Sequence, residues 1–261
     1  MNLAPKLIVH NREHYYYPSF REQVKMPSSH KLKIKLTQHP DLLLNYYLIH
    51  VIGFYFKQWI MPSSYWFDGA INFGGKFNNE TPSNMTNTED LENFLELAID
   101  SFSGVPVKCK YRNTIISALY SYNSCHKYRW EHEWFLEFYK SFDALWQYST
   151  QCLNENTINE IHKSLEKEKS NKHKNRLMSI YEFLKIPDKK IPKAILDTIF
   201  TIRNAMIHEA RWNGEILGHK PSDQKTFDAV IYFQVFVRRF LKYAITQNRD
   251  FNFHESNIWE I

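Results

Sequence analysis

The sequence predicts a mainly α protein whose helical part follows a small region of mixed α and β structure. Three observations carry this. From residue 88 onward, apolar side chains recur at the three- and four-residue spacing of helix faces almost without interruption. The chain holds only 7 Gly in 261 residues against 16% aromatic residues, a balance that suits packed helices better than a glycine-rich phosphate-binding fold. The first 85 residues instead mix short apolar runs with Pro, Gly and Asn clusters. The expected division is a small mixed α/β N-terminal domain over 1–85 and a helical domain over 86–261.

In order along the chain, His30 to Leu36 alternates apolar and charged residues as a half-exposed strand does. Leu42 to Phe56 is strongly apolar but is interrupted by Asn45 and His50. It falls short of the roughly 20 apolar residues a membrane span needs, so it reads as a buried core segment. The residues from Tyr65 to Gly75 read as strand and turn, and Phe77 to Asn87 as a polar linker. Thr88 can cap a helix reaching Phe102, stopped by Gly104 and Pro106. Further helices are expected from Val107 to Tyr122, Trp130 to Gln151, Lys190 to Ala210 with Pro192 in the first turn, and Asp223 to Gln247. The Trp130 to Gln151 helix has so wide an apolar face that it belongs at the centre of a bundle, and its Trp130, Trp134 and Trp146 are read as core before base-stacking groups. The lysine-rich stretch from Lys163 to Arg176 reads as a helix end and a loop, a solvated surface before an RNA-contacting patch.

Composition narrows the function classes. Hydrophobic residues at 43% and charged residues at 23% exclude wholesale disorder. A net charge of +5 permits a polyanionic partner without identifying one. The three cysteines, Cys109, Cys125 and Cys152, form no CxxC pair and leave an odd count, so they are expected as free thiols in a reducing compartment. No apolar run of signal-peptide length opens the chain, which makes the cytoplasm the expected location and leaves no membrane partner. No metal site is expected, since His126, His132 and Glu133 near Cys125 lack a second pair at ligand spacing. No cofactor motif is present either.

One pattern carries chemistry. Arg203 and His208 stand five residues apart late in an apolar helix, with Asn204 beside the arginine. Arg followed by His after four to six residues arises about once or twice by chance in a chain of this composition. Two such pairs occur, the second being Arg249 and His254 in a polar tail. Context separates them, because Ile199, Phe200, Ile202, Met206 and Ile207 anchor the first pair in a rigid element. Tyr111, Arg112 and Asn113 repeat the Arg-Asn dipeptide without a histidine at the required distance.

The run from Arg203 through Asn204 to His208 resembles the signature of the HEPN superfamily: Arg, a polar residue, apolar positions, then His. The aromatic and acidic stretch from Tyr128 to Trp146 is similar to a helix of HEPN proteins grouped near the ApeA-like defence branch, and Tyr65 to Gly69 is similar to a motif preceding their helical domain. The resemblance implies an up-and-down helical bundle, a homodimer with the two Arg-His motifs facing each other, RNA as substrate, and a bacterial defence or toxin role in which an antitoxin or activator can take part. One departure is Ala210, where the HEPN branch modified by a nucleotidyltransferase carries Tyr, so that mode of regulation is not expected.

The resemblance assigns the catalytic residues as Arg203, His208 and Asn204. Histidine can take the proton of a ribose 2′-hydroxyl or return one to the leaving 5′-oxygen near neutral pH. Arginine can hold the scissile phosphate and stabilise charge in the transition state. Asn204 can orient either. Because five helical residues place Arg203 and His208 about 140° apart around the axis, the pair is expected to meet on one phosphate only across a dimer or where the helix ends near His208, with Asn213 and Gly214 as its stop. Rival readings are a HEPN domain without catalysis that binds nucleotide or RNA or only dimerises, and a helical interaction protein. In those, Arg203 pairs with Asp143, Glu137 or Asp197, and His208 interacts with the last carbonyls of its helix.

Overall fold

Eight helices form among the residues that the computed structural model describes, which are 6–15, 27–35, 42–55, 88–125, 131–163, 172–217 and 222–251. The protein is mainly helical, as expected. Its chain divides into two compact units, residues 1–104 with 245–261, and residues 105–244. The expected boundary at residue 85, the linker from 77 and the segment from Tyr65 to Gly75 lie outside the described residues.

In the first unit, strands β1 (Lys6–Tyr15) and β2 (Pro27–Lys35) pair antiparallel, Lys6 opposite Lys35 and Asn11 opposite His30, with an irregularity between Asn11 and His14. The alternating stretch from His30 thus lies largely in β2. Helix α1 (Leu42–Tyr55) buries Tyr47, Leu48, Val51, Ile52 and Phe54 against α2 (Thr88–Gly104). The rings of Tyr47 and Phe102 stack at 4.4 Å. No helix among the described residues is long and apolar enough to cross a membrane.

The second unit is helical apart from one short hairpin. Helix α3 (Thr114–Ser124) begins seven residues later than the expected start at Val107. Residues 106–114 instead form successive tight turns, from Cys109 N–H to the Pro106 carbonyl (2.8 Å) and from Arg112 N–H to the Cys109 carbonyl (3.0 Å). A disulfide joins Cys109 in this segment to Cys152 after α4 (Glu131–Gln151). The free-thiol expectation therefore fails for these two residues. Packing of α3 on α4 brings their Cα atoms to 6.0 Å across 43 residues of sequence, whereas buried Cys125 stands outside this bond.

Two helices went unrecognised in the sequence, α5 (Glu155–Lys163), capped by the Asn154 carboxamide accepting the Thr157 N–H at 2.9 Å, and α6 (Lys172–Phe183). Helix α7 (Ile195–Glu209) starts five residues after the expected Lys190, because the Asp188 carboxylate takes the Lys193 N–H at 2.6 Å and holds Pro192 in a turn ahead of the helix. Strands β3 (Arg211–Trp212) and β4 (Glu215–Ile216) form a hairpin whose turn residues, Asn213 (φ 53) and Gly214 (φ 76), both lie in the left-handed region that a tight hairpin turn requires. Asn213 and Gly214 thus turn a hairpin, and the helix stop is Ala210, itself left-handed at φ 51. Helix α8 (Gln224–Thr246) is capped by Asp223, which accepts the Thr226 N–H at 2.7 Å.

The core lies between α4 and α8. Phe142 sits about equally far from Phe233, Phe236 and Phe240, with ring centroids 6.2, 5.9 and 6.0 Å away, and Phe135 meets Phe233 at 5.3 Å. Such pairs add about 0.5–1.5 kcal/mol each beyond the burial of their area. Trp212, 1% exposed, packs edge-on to Phe135 at 5.9 Å and donates its indole N–H to Ser222. The hairpin after α7 is thereby pinned to α4, fixing where α7 ends.

Candidate active site

Helix α7 buries Leu196, Ile199, Ile202 and Met206 along one stripe. Arg203, four residues after Ile199, lies at the edge of that stripe and is half-buried, while His208 in the last turn is exposed. The two meet within one chain, the Arg203 Nη1 standing 3.1 Å from His208 Nε2. The same Nη1 donates to the Asn204 carboxamide oxygen at 2.9 Å. All three expected residues are therefore together. A second copy of the chain is not needed to bring Arg203 and His208 to one place, which matches the second of the two expected arrangements, a helix that ends near His208. Arginine's long side chain spans the angular gap, and the helix ends two residues beyond His208, at left-handed Ala210.

A fourth residue completes the cluster. From α6, His173 places its Nε2 at 3.2 Å from Arg203 Nη2. Guanidinium groups only donate, so in each of these contacts the imidazole Nε2 is the acceptor. The His173 Nδ1 in turn faces the Tyr139 hydroxyl at 3.4 Å and the Asp143 carboxylate at 4.0 Å, both on α4. Arg176, one turn beyond His173, is 3.5 Å from the same Asp143 oxygen, and its guanidinium lies 5.5 Å from the Trp146 ring centroid. The Arg203 guanidinium stands 5.7 Å from the Tyr139 ring centroid. Lys174 and Asp197, 2.8 Å apart, tie α6 to α7 beside the cluster.

Electrostatics follow from this burial. Tyr139 is pushed far above the ordinary phenol range, by burial first and by the Asp143 charge second, so its hydroxyl keeps its proton. Burial also raises the Asp143 carboxyl, against the opposing pull of His173, Arg176 and Arg203. His173 is lowered from the usual imidazole value, again by burial first and then by the Arg203 charge, with Asp143 pulling the other way. It is held neutral where an exposed histidine begins to charge.

The rival reading of Arg203 as an ion-pair partner has no counterpart among the described residues. Asp143 pairs with Arg176, Glu137 with Lys140 at 2.7 Å, and Asp197 with Lys174. Arg203 instead turns its donors to two imidazoles and an amide, and its Nε is buried with no hydrogen-bond partner. Asp143 feels its charge, but no carboxylate among the described residues lies within ion-pair distance of the guanidinium, which leaves it able to receive an anion. Of the second sequence pair, Arg249 is described and His254 lies outside the described residues.

Sequence reading missed His173, Tyr139 and Arg176, and named Asp143 only as an ion-pair partner for Arg203. Tyr139 was absorbed into the aromatic core of α4, where its ring does pack, 5.6 Å from Phe233. His173 and Arg176 were hidden in a lysine-rich run read as solvated. Their spacing of three on a helix, ahead of buried Leu177 and Ile180, was the available signal that they face inward. No group of three metal-ligating side chains comes together among the described residues. Comparison of the chain with protein families, with characterised proteins and with solved structures finds no match.

Proposed function

We propose that this chain is an endoribonuclease of the HEPN type that cleaves RNA through attack by the 2′-hydroxyl, with Arg203, His208 and Asn204 at the site and no metal in the reaction. The observation that carries the reading is Arg203, held 3.1 Å from His208 with no carboxylate partner among the described residues. A phosphodiester entering the cluster offers charged oxygens to the guanidinium, which are stronger acceptors than imidazole nitrogens. Arg203 then turns its donors to the phosphate and frees His208 Nε2 for proton transfer. Asn204, already bonded to Nη1, keeps the guanidinium aimed during the exchange. A defence or toxin role in the cytoplasm, with an antitoxin or activator as partner, belongs to the same proposal and rests on the resemblance of the motif.

Cleavage of end-labelled RNA tests it. In EDTA the chain should still cut, leaving a 2′,3′-cyclic phosphate and a 5′-hydroxyl, and should fail where a single 2′-deoxy sugar precedes the scissile phosphate. DNA should stay intact. Ends bearing 5′-phosphate, or cutting at a deoxy position, would show another mechanism. The homodimer is a separate matter for light scattering, since one chain already assembles the cluster.

A further inference from the structure

We infer that His173 is the second proton-transfer residue of this site, taking the proton of the 2′-hydroxyl while His208 delivers one to the leaving 5′-oxygen. The inference rests on the ribonuclease reading above and names a residue that the Arg-His motif does not contain.

The geometry is bilateral. Arg203 presents one Nη to each imidazole, at 3.1 Å to His208 and 3.2 Å to His173, and both rings turn Nε2 toward the guanidinium. A phosphate seated on that fork has one imidazole on either side, the arrangement that an in-line displacement needs, with a base at the attacking oxygen and an acid at the departing one. The two histidines differ in setting, and the difference assigns the roles. His173 is half-buried between α4 and α7, where Tyr139 and Asp143 on α4, Arg176 on its own helix, and Arg203 and His208 on α7 all face it. Burial and the adjacent guanidinium favour its neutral form, the form a base requires. The groups at its Nδ1, Tyr139 and Asp143, fix the ring and accept the positive charge it acquires. His208 is exposed in the last turn of α7, where solvent can return the proton it gives to a leaving oxygen.

The step balances. His173 Nε2 removes the 2′-hydroxyl proton as the oxygen bonds to phosphorus, the bond from phosphorus to the 5′-oxygen breaks, and protonated His208 gives that oxygen its proton. Exchange with water returns both rings to their starting forms.

The experiment uses the full chain with His173→Gln, His173→Ala and His208→Ala. A Gln carboxamide oxygen can still accept from Arg203 but cannot carry the proton, so His173→Gln separates holding the guanidinium from chemistry. Expected are a loss of at least about 100-fold for His173→Gln, with disappearance of the acidic limb of the pH–rate profile, and partial recovery of His173→Ala by added imidazole. An RNA with sulfur in place of the 5′-bridging oxygen needs no acid at its leaving group. It should restore cleavage to His208→Ala and leave His173→Gln slow. Retention of near-normal rate and both pH limbs by His173→Gln, or rescue of that variant by the sulfur substrate, would overturn the assignment while leaving the ribonuclease reading intact. Absence of RNA cleavage by the unsubstituted chain would overturn both.

Discussion

Along α4, the side that meets α8 is filled by Phe135 and Phe142 against Phe233, Phe236 and Phe240, whereas the side that meets α6 carries Asp143 and the Tyr139 hydroxyl among two histidines and two arginines. Tyr139 stands on the border, its ring in the aromatic seam and its oxygen beside His173. The first side is satisfied by volume alone. The second is polar, half-buried and incompletely paired, with Arg203 Nε left unbonded. One face of the helix is accordingly packed with rings, and the other carries charged and titratable groups.

The widest separation of the two faces comes from paired substitutions. Phe142→Ala should cost about 3–5 kcal/mol of unfolding free energy, because three neighbouring rings cannot collapse into the space it leaves. Arg203→Ala should cost about 1 kcal/mol or less and yet remove at least about 1,000-fold of RNA cleavage, as loss of a preorganised charge at a developing oxyanion does. Denaturant unfolding and initial rates on the same preparations check both. A large stability loss for Arg203→Ala would mean that the polar face is structural.

A smaller effect is expected at the far end of the same helix, where the bond between Cys109 and Cys152 closes a loop of 43 residues. The chain-entropy relation gives about 4 kcal/mol as the upper value for such a loop. Thermal unfolding with and without reductant, and of Cys109→Ser, should show a lower transition temperature on loss of the bond. Cleavage by the folded protein should be unaffected, since neither cysteine belongs to the cluster around Arg203. A Cys109→Ser protein as stable as the parent would place the two sulfurs apart in solution.

Much of the helical plan was legible because helix periodicity is local. The long aromatic helix and the final helix were read to within a residue or so and β2 from alternation, while the stretch that forms α1 was read only as a buried core segment. The errors have physical sources. Cys109 and Cys152 pair only because α3 packs on α4, which no spacing rule reveals. Turns after Pro106 replaced a helical turn that the apolar pattern favoured, and an aspartate side chain delayed α7 past Pro192. The triplet Arg203, Asn204 and His208 was legible as a pattern, but its surroundings were not, since His173 and Arg176 reach the cluster from a lysine-rich run and Tyr139 looks in sequence like one more core aromatic. Helical angle left two ways for Arg203 and His208 to meet and could not choose between them, because it measures Cα positions, and arginine places its charge far from its own Cα.

The finest test of the comparison is Asp143→Asn, which removes charge from the polar face while keeping its shape. In the folded protein His173 lies below its ordinary pKa, with Asp143 the one neighbour pulling it upward against burial, Arg203, Arg176 and His208. Without that carboxylate the His173 pKa should fall further, and the acidic limb of cleavage should move to lower pH. The sign for stability follows from linkage. A histidine whose folded pKa is depressed binds its proton more readily in the unfolded chain, so stability rises with pH between the folded value and the ordinary value near 6.5, and is lost on acidification through that window. Asp143→Asn should widen the window on its acidic side. NMR titration of the His173 ring in the free protein reads the shift directly, without reliance on any reaction. An unchanged or raised His173 pKa in the variant would show that Asp143 is screened by solvent from the ring it faces, and that the imidazole's setting is governed by Arg203 and burial alone.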